Sequence, residues 1–234
     1  MKAFTVAVIG PDGAGKTTVA RRVERSLSRP VKYIYMGDNP DASNVLLPTT
    51  RVLHAINRAR GAPPAGGPPD RSRPSRPKGM MGRAWRSMRS MAGLANHLTE
   101  EWFRQTLAWY HMARGRIVLF DRHFYSDYYA HDIVRGGRER SLSQRLHGFV
   151  LEHLYPKPDL VILLDAPTEV LWARKQEGTF EAVARRREEY LQMGEVFDDF
   201  AVVDATKPQE VVAQEISSLI LNRCDEPKAR SRRG

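Results

Sequence analysis

The chain has 234 residues, a formal net charge of +10 and a single cysteine. That length suits one α/β domain with room for an insertion, and the lone Cys224 excludes an internal disulfide and suits a reducing cytosol. The sequence holds no apolar stretch near the ~20 residues that a membrane span needs. Its first strand runs directly into a glycine-rich loop, which is not a signal-peptide pattern. We therefore expect a cytoplasmic globular protein that makes no use of a membrane.

The first predicted strand, Phe4–Gly10, leads into that glycine-rich loop. The loop reads Gly-Pro-Asp-Gly-Ala-Gly-Lys-Thr over residues 10–17, and helical spacing follows from Thr18 to Leu27. This matches the phosphate-binding pattern G-x-x-x-x-G-K-[ST] in the strand–loop–helix context that the pattern requires. Backbone amides and the helix N-terminus would hold a nucleoside triphosphate, Lys16 would reach its β- and γ-phosphates, and Thr17 would hold Mg²⁺. The predicted nucleotide-binding residues are Gly10, Asp12, Gly13, Ala14, Gly15, Lys16, Thr17 and Thr18.

Four further apolar runs predict the strands Val31–Met36, Arg116–Phe120, Asp159–Asp165 and Phe200–Asp204. Helical patterns separate most of them, among them Arg83–Ala113 and a helix that opens on a capping box at residues 141–144. Strands that alternate with helices predict an α/β fold with a five-stranded parallel sheet and helices on both faces. In such a sheet the ligand lies beyond the carboxyl ends of the strands, where the glycine loop is expected.

Residues 61–79 form a basic segment rich in proline and glycine, which cannot be a helix or a central strand. Nine arginines or lysines and one acid, Asp70, lie between Arg58 and Arg89. We expect a flexible insertion inside a single domain of residues 1–222, followed by a disordered basic tail at 223–234. The charge is typical either of a surface loop that helps to hold a phosphorylated substrate or of contact with nucleic acid or an acidic membrane. We favour the first.

The third strand is followed by Asp121-Arg122-His123. A carboxylate at the end of a buried strand could orient water bound to Mg²⁺, and Arg122 could clamp a phosphate with its planar fork. The alternative is an ion pair at a strand end. The glycine loop in the same chain favours the functional interpretation. No cluster of cysteines and histidines has the spacing of a metal site, so we expect Mg²⁺ to arrive with the nucleotide, held by Thr17 and Asp121.

The glycine loop, the Asp-Arg-His segment and the run Lys157–Asp165 together resemble the bacterial thymidylate kinases. The resemblance covers residues 1–36 and 116–220 and implies a P-loop kinase fold that uses ATP and Mg²⁺. It implies that Arg122 holds the phosphate of an acceptor monophosphate and that Asp12 lies near the acceptor's sugar hydroxyl or the metal. It also implies that Asp121 supports the Mg²⁺ shell, that the loop Asp204–Pro208, with Ala205 and Lys207, packs against adenine, and that the chain forms a homodimer.

Phosphoryl transfer needs cations around the γ-phosphate oxygens in the transition state. Some thymidylate kinases carry an arginine in the glycine loop where this chain has Gly13, so the catalytic arginine must come from elsewhere. A lid over residues 172–190, between the fourth and fifth strands, offers Arg174 and Arg185–Arg187, although such arginines are also typical of a solvated helix face. The predicted catalytic residues are Lys16, Asp121, Arg122, Arg174 and Arg185.

The acceptor half of the chain departs from the family's sequence pattern. Met36–Pro40 stands where the family has Arg-Glu-Pro-Gly-Gly, and Ala130-His131 stands where it has Tyr-Gln. Candidate acceptor contacts are Trp102, Arg104, Tyr125, Tyr129 and His131. The expected reaction is Mg²⁺- and ATP-dependent phosphorylation of a nucleoside monophosphate, dTMP to dTDP. The alternatives are a kinase that acts on a nucleoside or a sugar-like hydroxyl, a polynucleotide-end kinase, and a nucleotide switch without catalysis.

Overall fold

The computed structural model describes residues 3–37, 43–59, 80–128, 142–176 and 179–225. The predictions for the basic insertion at 61–79, for Tyr129 and His131, and for the tail beyond Asp225 lie outside these residues. The first three residues of the predicted tail, 223–225, belong to the last helix. The described chain divides into two compact units, one made of residues 1–33, 111–122 and 158–234 and the other of residues 34–110 and 123–157.

A five-stranded parallel sheet with the strand order β2-β3-β1-β4-β5 forms the core of the fold. Its strands are β1 (Thr5–Ile9), β2 (Val31–Tyr35), β3 (Ile117–Asp121), β4 (Leu160–Asp165) and β5 (Phe200–Asp204). β1 and β3 are buried along their whole length, which explains why they are continuous apolar runs rather than alternating ones. The α/β prediction with five parallel strands is confirmed, and each predicted strand end lies within one residue of the observed one.

The helices in the described part of the chain are α1 (Lys16–Ser26), α2 (Pro48–Ala59), α3 (Met80–Ala113), α4 (Phe124–Tyr128), α5 (Leu142–His153), α6 (Thr168–Arg174), α7 (Phe180–Leu191) and α8 (Gln209–Asp225). A short 3₁₀ turn follows α7 at Gln192–Glu195. None of the helices that the structure describes combines the length and the apolar character of a bilayer-spanning segment.

The strand order determines the faces on which the helices of the first unit lie. The β1-to-β2 connection runs past β3 towards one edge of the sheet, and the β4-to-β5 connection runs towards the other edge. Right-handed crossovers that run in opposite directions place their helices on opposite faces. α1 therefore covers one face, with α8 packed against it, and α6 and α7 cover the other.

Candidate nucleotide-binding site

The glycine loop between β1 and α1 contains three glycines with positive φ. Two of these glycines are required by packing, because a Cβ on Gly10 would lie 2.5 Å from the carbonyl oxygen of Leu164 and a Cβ on Gly13 would lie 2.6 Å from that of Leu171. Gly15 differs, since at a φ of 85° its Cβ would meet nothing within 4 Å. The loop therefore packs against the end of β4 at Gly10 and against α6 at Gly13, whereas Gly15 has no neighbouring atom within reach of a Cβ.

The first turn of α1 offers the features of an anion site. Gly15 is its N-cap, which has no side-chain cap, and the first turn carries no acidic residue. The first amides of any helix lack acceptors inside the helix, and the helix dipole adds positive potential there. Thr17 and Thr18 are exposed on this turn, while Ala14 is buried in the loop below it. The amides of the turn and the hydroxyl of Thr17 are the groups that a phosphate with its metal would use.

Lys16 is folded back over its own loop. Its side chain is only 5% exposed, and Nζ donates to the carbonyl oxygens of Gly10 and Pro11, both at 2.7 Å. The same Nζ lies 3.7 Å from Oδ1 of Asp12. The ammonium group is thus kept inside the loop by oxygens, at the position from which the sequence pattern expects it to reach a phosphate.

Arg122 joins the end of β3 to the glycine loop. It has a φ of 69°, a region that bulky residues rarely occupy, and its amide donates to the carbonyl of Val8 at 3.0 Å. Nη2 donates to Oδ1 of Asp12 at 2.5 Å. Burial alone would raise the pKa of the Asp12 carboxyl, but the charges of Lys16 and Arg122 outweigh it and hold that pKa well below its ordinary value.

Asp121 lies fully buried at the end of β3. The hydroxyl of Tyr33, on β2, donates to its Oδ2 at 2.7 Å. Its other oxygen, Oδ1, is buried and has no hydrogen-bond partner among the residues that the structure describes. A buried carboxylate oxygen without a donor costs free energy, so this atom needs a donor or a metal-bound water that would pair with it.

The arginines of the predicted lid differ in what they contact. Arg174, at the end of α6, donates from Nη1 to the carbonyl of Ala205 at 2.8 Å. Arg187, on α7, holds the carboxylate of Asp165 with both arms of its fork, at 2.7 and 2.8 Å. This hydrogen-bonded pairing raises the pKa of Arg187. Arg185 is 63% exposed, with Nε 4.0 Å from Oε1 of Glu189.

The loop after β5 is ordered by local hydrogen bonds. Asp204 accepts from the amide of Thr206 at 2.9 Å and from its hydroxyl at 2.6 Å, a local turn. The amide of Ala205 donates to the carbonyl of Asp165 at 2.7 Å. Lys207 is exposed and pairs with Glu215 at 3.0 Å. Ala205 is therefore fixed against β4 and α6, whereas the Lys207 side chain points to α8.

In the second unit, Arg104 is almost fully buried on α3. Its Nε donates to Glu100 at 3.0 Å, and its Nη1 donates to the carbonyls of Tyr35 and Gly37 at 3.2 and 2.9 Å. The Glu100 carboxylate also accepts from the hydroxyl of Thr50 at 2.8 Å. Arg104 was predicted as an acceptor contact. In this structure Nε and Nη1 of Arg104 hold protein oxygens at the end of β2 and on α3.

Of the predicted site residues, the structure brings Asp12, Lys16 and Arg122 into one ion-paired group. Two partners in this region were not predicted from the sequence, Tyr33 and Asp165. Tyr33 is one of several apolar residues in a strand, and nothing in the sequence distinguishes it from core. Asp165 carried a signal, because it stands at the carboxyl end of a predicted strand as Asp121 does.

A sequence model of the family described as thymidylate kinase matches residues 93–216. The match begins after the glycine loop, so the loop is separate evidence for nucleotide binding. It also takes in residues 93–115, all but the last two of them in α3, which the motif resemblance left unexplained.

The curated relatives include archaeal as well as bacterial proteins. The similarity is therefore to thymidylate kinases in general and not to the bacterial enzymes in particular. The probable thymidylate kinase 1 of Saccharolobus solfataricus is 30% identical over 110 residues, which cover 44% of this chain and 54% of that protein. The thymidylate kinase of Thermosipho africanus is 28% identical over 122 residues, 47% of this chain and 57% of its own. The probable thymidylate kinase of Thermococcus kodakarensis is 31% identical over 114 residues, which cover 45% of this chain and 52% of that protein. The chain spans about half the length of the curated relatives it matches.

Proposed function

Since the chain belongs to the thymidylate kinase family, we propose that it transfers the γ-phosphoryl group of ATP to a nucleoside monophosphate. The finer form of the proposal is that the acceptor is dTMP and the product dTDP, as the printed names of the relatives suggest.

One observation carries the proposal, the ion pair between Arg122 and Asp12. It joins the arginine that follows β3 to the glycine loop that follows β1, in a backbone conformation that costs free energy for a residue other than glycine. Strained residues of this kind are concentrated at functional sites. A guanidinium held beside a phosphate-binding loop is suited to bind a second phosphate.

The residues present fit a nucleotide with Mg²⁺. The uncapped first turn of α1 and the amino group of Lys16 would bind phosphate oxygens. The Thr17 hydroxyl and Oδ1 of Asp121, which has no partner among the described residues, are the hard oxygen ligands, or partners of metal-bound water, that Mg²⁺ prefers. Bound there, Mg²⁺ would neutralise charge on the phosphates. On binding phosphate, Lys16 would exchange the carbonyls of Gly10 and Pro11 for phosphate oxygens.

The electrostatics of Asp12 argue against this carboxylate as the general base that a hydroxyl acceptor needs. A hydroxyl acceptor needs a carboxylate that takes up its proton. Asp12 suits that task poorly, because Lys16 and Arg122 lower its pKa and so make it a weak base. A phosphate acceptor is already ionised near neutral pH, its second pKa being about 6. For such an acceptor, positioning and charge are sufficient.

Among the lid arginines we propose Arg185 as the one that reaches the transferring phosphoryl group. Arg187 is held in a bidentate pair with Asp165, and Arg174 holds the carbonyl of Ala205 in the loop proposed to contact adenine. Arg185 is 63% exposed against 33% for Arg187, and its ion-pair distance of 4.0 Å is longer than the 2.7 Å of Arg187. Its side chain can leave Glu189 at little cost, since exposed pairs contribute about 0–1 kcal/mol.

The test is a turnover screen that measures ADP release with Mg²⁺ and ATP over a panel of acceptors, with Lys16→Ala as the blank. The panel holds dTMP, other nucleoside monophosphates, nucleosides, sugar derivatives and oligonucleotides with a 5′-hydroxyl. We expect turnover with dTMP at about 1–100 per second, the usual range for kinases. Turnover with a nucleoside or a 5′-hydroxyl end, but with no monophosphate, would refute the proposal.

A matched pair of arginine variants tests the role of the carrying ion pair. Arg122→Lys keeps the charge but loses the fork, and we expect kcat/KM for the acceptor to fall about 10- to 100-fold, or roughly 1.4–2.7 kcal/mol. Arg223→Lys makes the same change in another Arg–Asp pair of the first unit, 2.7 Å from Asp199, and should leave kcat/KM unchanged. Equal kcat/KM for the two variants would argue against phosphate binding by Arg122.

A further inference from the structure

Two histidines and a glutamate converge inside the second unit. His97 and Glu101 stand one turn apart on α3, and His147 comes from α5. Nε2 of His147 lies 2.9 Å from Oε1 of Glu101, and Nε2 of His97 lies 3.2 Å from the same oxygen. One ligand atom from each of the three residues lies within 4.8 Å of the other two. We name these three residues the His-Glu-His cluster.

The cluster is buried and holds a carboxylate that needs positive charge. Glu101 is fully buried, His147 is 4% exposed at its side chain and His97 is 28% exposed. Oε2 of Glu101 is buried and has no hydrogen-bond partner among the described residues. Within ion-pair distance, the described partners of Glu101 are the two imidazoles, and only their protonated forms supply a full positive charge. A buried carboxylate is costly unless a charge or a metal compensates it.

We propose that His97, Glu101 and His147 form a binding site for one divalent transition-metal ion of the zinc type. Two imidazole nitrogens and one carboxylate oxygen are a donor set that suits Zn²⁺ and not Mg²⁺, which prefers oxygen ligands. A residue pair at i and i+4 on one helix face, completed by a third ligand from another element, is an arrangement that binds zinc.

Two of the three ligand–ligand distances in the cluster agree with such an ion, and the two imidazole ligand atoms lie within 4.8 Å of each other. Ligands about 2.0–2.2 Å from Zn²⁺ in a tetrahedron stand about 3.3–3.6 Å from one another. The two nitrogen–oxygen distances of 2.9 and 3.2 Å are already close to this value, so small side-chain rotations would admit the ion. The ligand atom Nε2 of His97 is itself buried, so the ion would lie inside the second unit.

The ion would join α3 to α5 within the second unit. Its chemistry differs from that of the Mg²⁺ proposed at the glycine loop, and the site does not depend on the proposed kinase activity. This site was not predicted from the sequence, because the third ligand is 46 residues from Glu101 and no spacing of cysteines and histidines marks it.

The test uses the full chain, stripped with a chelator and then titrated with Zn²⁺ and with Co²⁺ as a spectroscopic probe. We expect one equivalent of Zn²⁺ to bind, one equivalent of Co²⁺ to give the intense visible bands of four- or five-coordinate nitrogen and oxygen ligation, and Zn²⁺ to raise the midpoint of thermal unfolding. Glu101→Gln and His97→Ala should each weaken Zn²⁺ binding about 100-fold or more, since even the loss of residues that only support metal ligands costs 10–100-fold.

Two controls make the result decisive. His153→Ala removes an exposed histidine from the same helix α5 and should leave the affinity unchanged, and Cys224→Ser excludes a thiolate site. Because His97 is partly exposed, His97→Ala should keep its circular dichroism spectrum even if Glu101→Gln does not fold. Wild-type binding that is absent, or equal to that of His97→Ala, would overturn the proposal and leave the cluster as a hydrogen-bonded network.

Discussion

The glycine loop offers a way to separate a glycine kept for packing from one kept for a ligand. Gly13 and Gly15 have nearly the same φ, 89° and 85°, so replacement by alanine strains both backbones by roughly 1–2 kcal/mol. Only Gly13 gains a clash, because its Cβ would lie 2.6 Å from the carbonyl oxygen of Leu171. Such overpacking adds about 1–3 kcal/mol. We therefore expect Gly13→Ala to lower the free energy of unfolding by about 2–5 kcal/mol and Gly15→Ala by about 1–2 kcal/mol.

The assay compares stability with ligand binding in the same two variants. Urea unfolding without nucleotide gives the free energies, and calorimetric titration gives the affinity for Mg²⁺ and ATP. Gly15→Ala should lose affinity out of proportion to its stability, because a methyl group at the N-cap of α1 would stand beside the amides that hold the phosphates. Equal destabilisation of the two variants, or ATP binding by Gly15→Ala as tight as that of the wild type, would refute the distinction between the two glycines.

Three further predictions concern other buried or paired groups. Tyr33→Phe removes the hydroxyl that donates to Asp121, so the free energy of unfolding, measured in urea, should fall by about 1–3 kcal/mol. An unchanged free energy of unfolding would mean that water replaces the hydroxyl. Lysine in Arg187→Lys cannot hold both oxygens of Asp165, and because the pair is partly exposed the free energy of unfolding should fall by no more than about 1 kcal/mol. Proteolysis of the segment between β4 and β5 should become faster. Burial lowers the pKa of the His123 imidazole to about 3 in the folded state. As the pH falls below about 6.5, His123 is protonated in the unfolded chain but stays neutral in the folded one, so the free energy of unfolding decreases. His123→Gln should abolish about 2 kcal/mol of the loss between pH 6.5 and 5, and an unaltered pH dependence would contradict the assignment.

The sheet could be predicted because its strands are short apolar runs with sharp polar ends. The glycine loop could be predicted because its chemistry is local, with the phosphate-binding amides, Lys16 and Thr17 all within eight residues. α2 and the short α4 were not assigned from the sequence. Their residues are mixed in character, and a helix of five residues such as Phe124–Tyr128 carries too little periodicity to be recognised.

The contacts that could not be predicted join residues that are distant in sequence. The hydrogen bond from Tyr33 to Asp121 spans 88 residues, and the ion pair from Arg122 to Asp12 spans 110. The sequence predicted that Asp12 and Arg122 serve one site, but not that they pair with each other. Arg104, a predicted acceptor contact, donates to the carbonyls of Tyr35 and Gly37, more than 60 residues away in sequence. Whether a charged side chain pairs with the protein depends on its burial and its neighbours in the fold, and the spacing of residues in the sequence predicts neither.

The strand order also bears on how the protein emerges from the ribosome. β1 is synthesised first, yet its two neighbours in the sheet are β3 and β4. Thr5 pairs with Val118 and Val6 pairs with Leu160, and both partners are synthesised more than 100 residues later. Thr5 is further tied to Asp159 by hydrogen bonds of 2.8 Å across 154 residues. Pairings of such long range form slowly and leave strand edges exposed meanwhile. A growing chain should thus gain the ability to bind nucleotide only once β4 has left the exit tunnel, and stalled chains that end before Leu160 should show no protection by ATP against proteolysis.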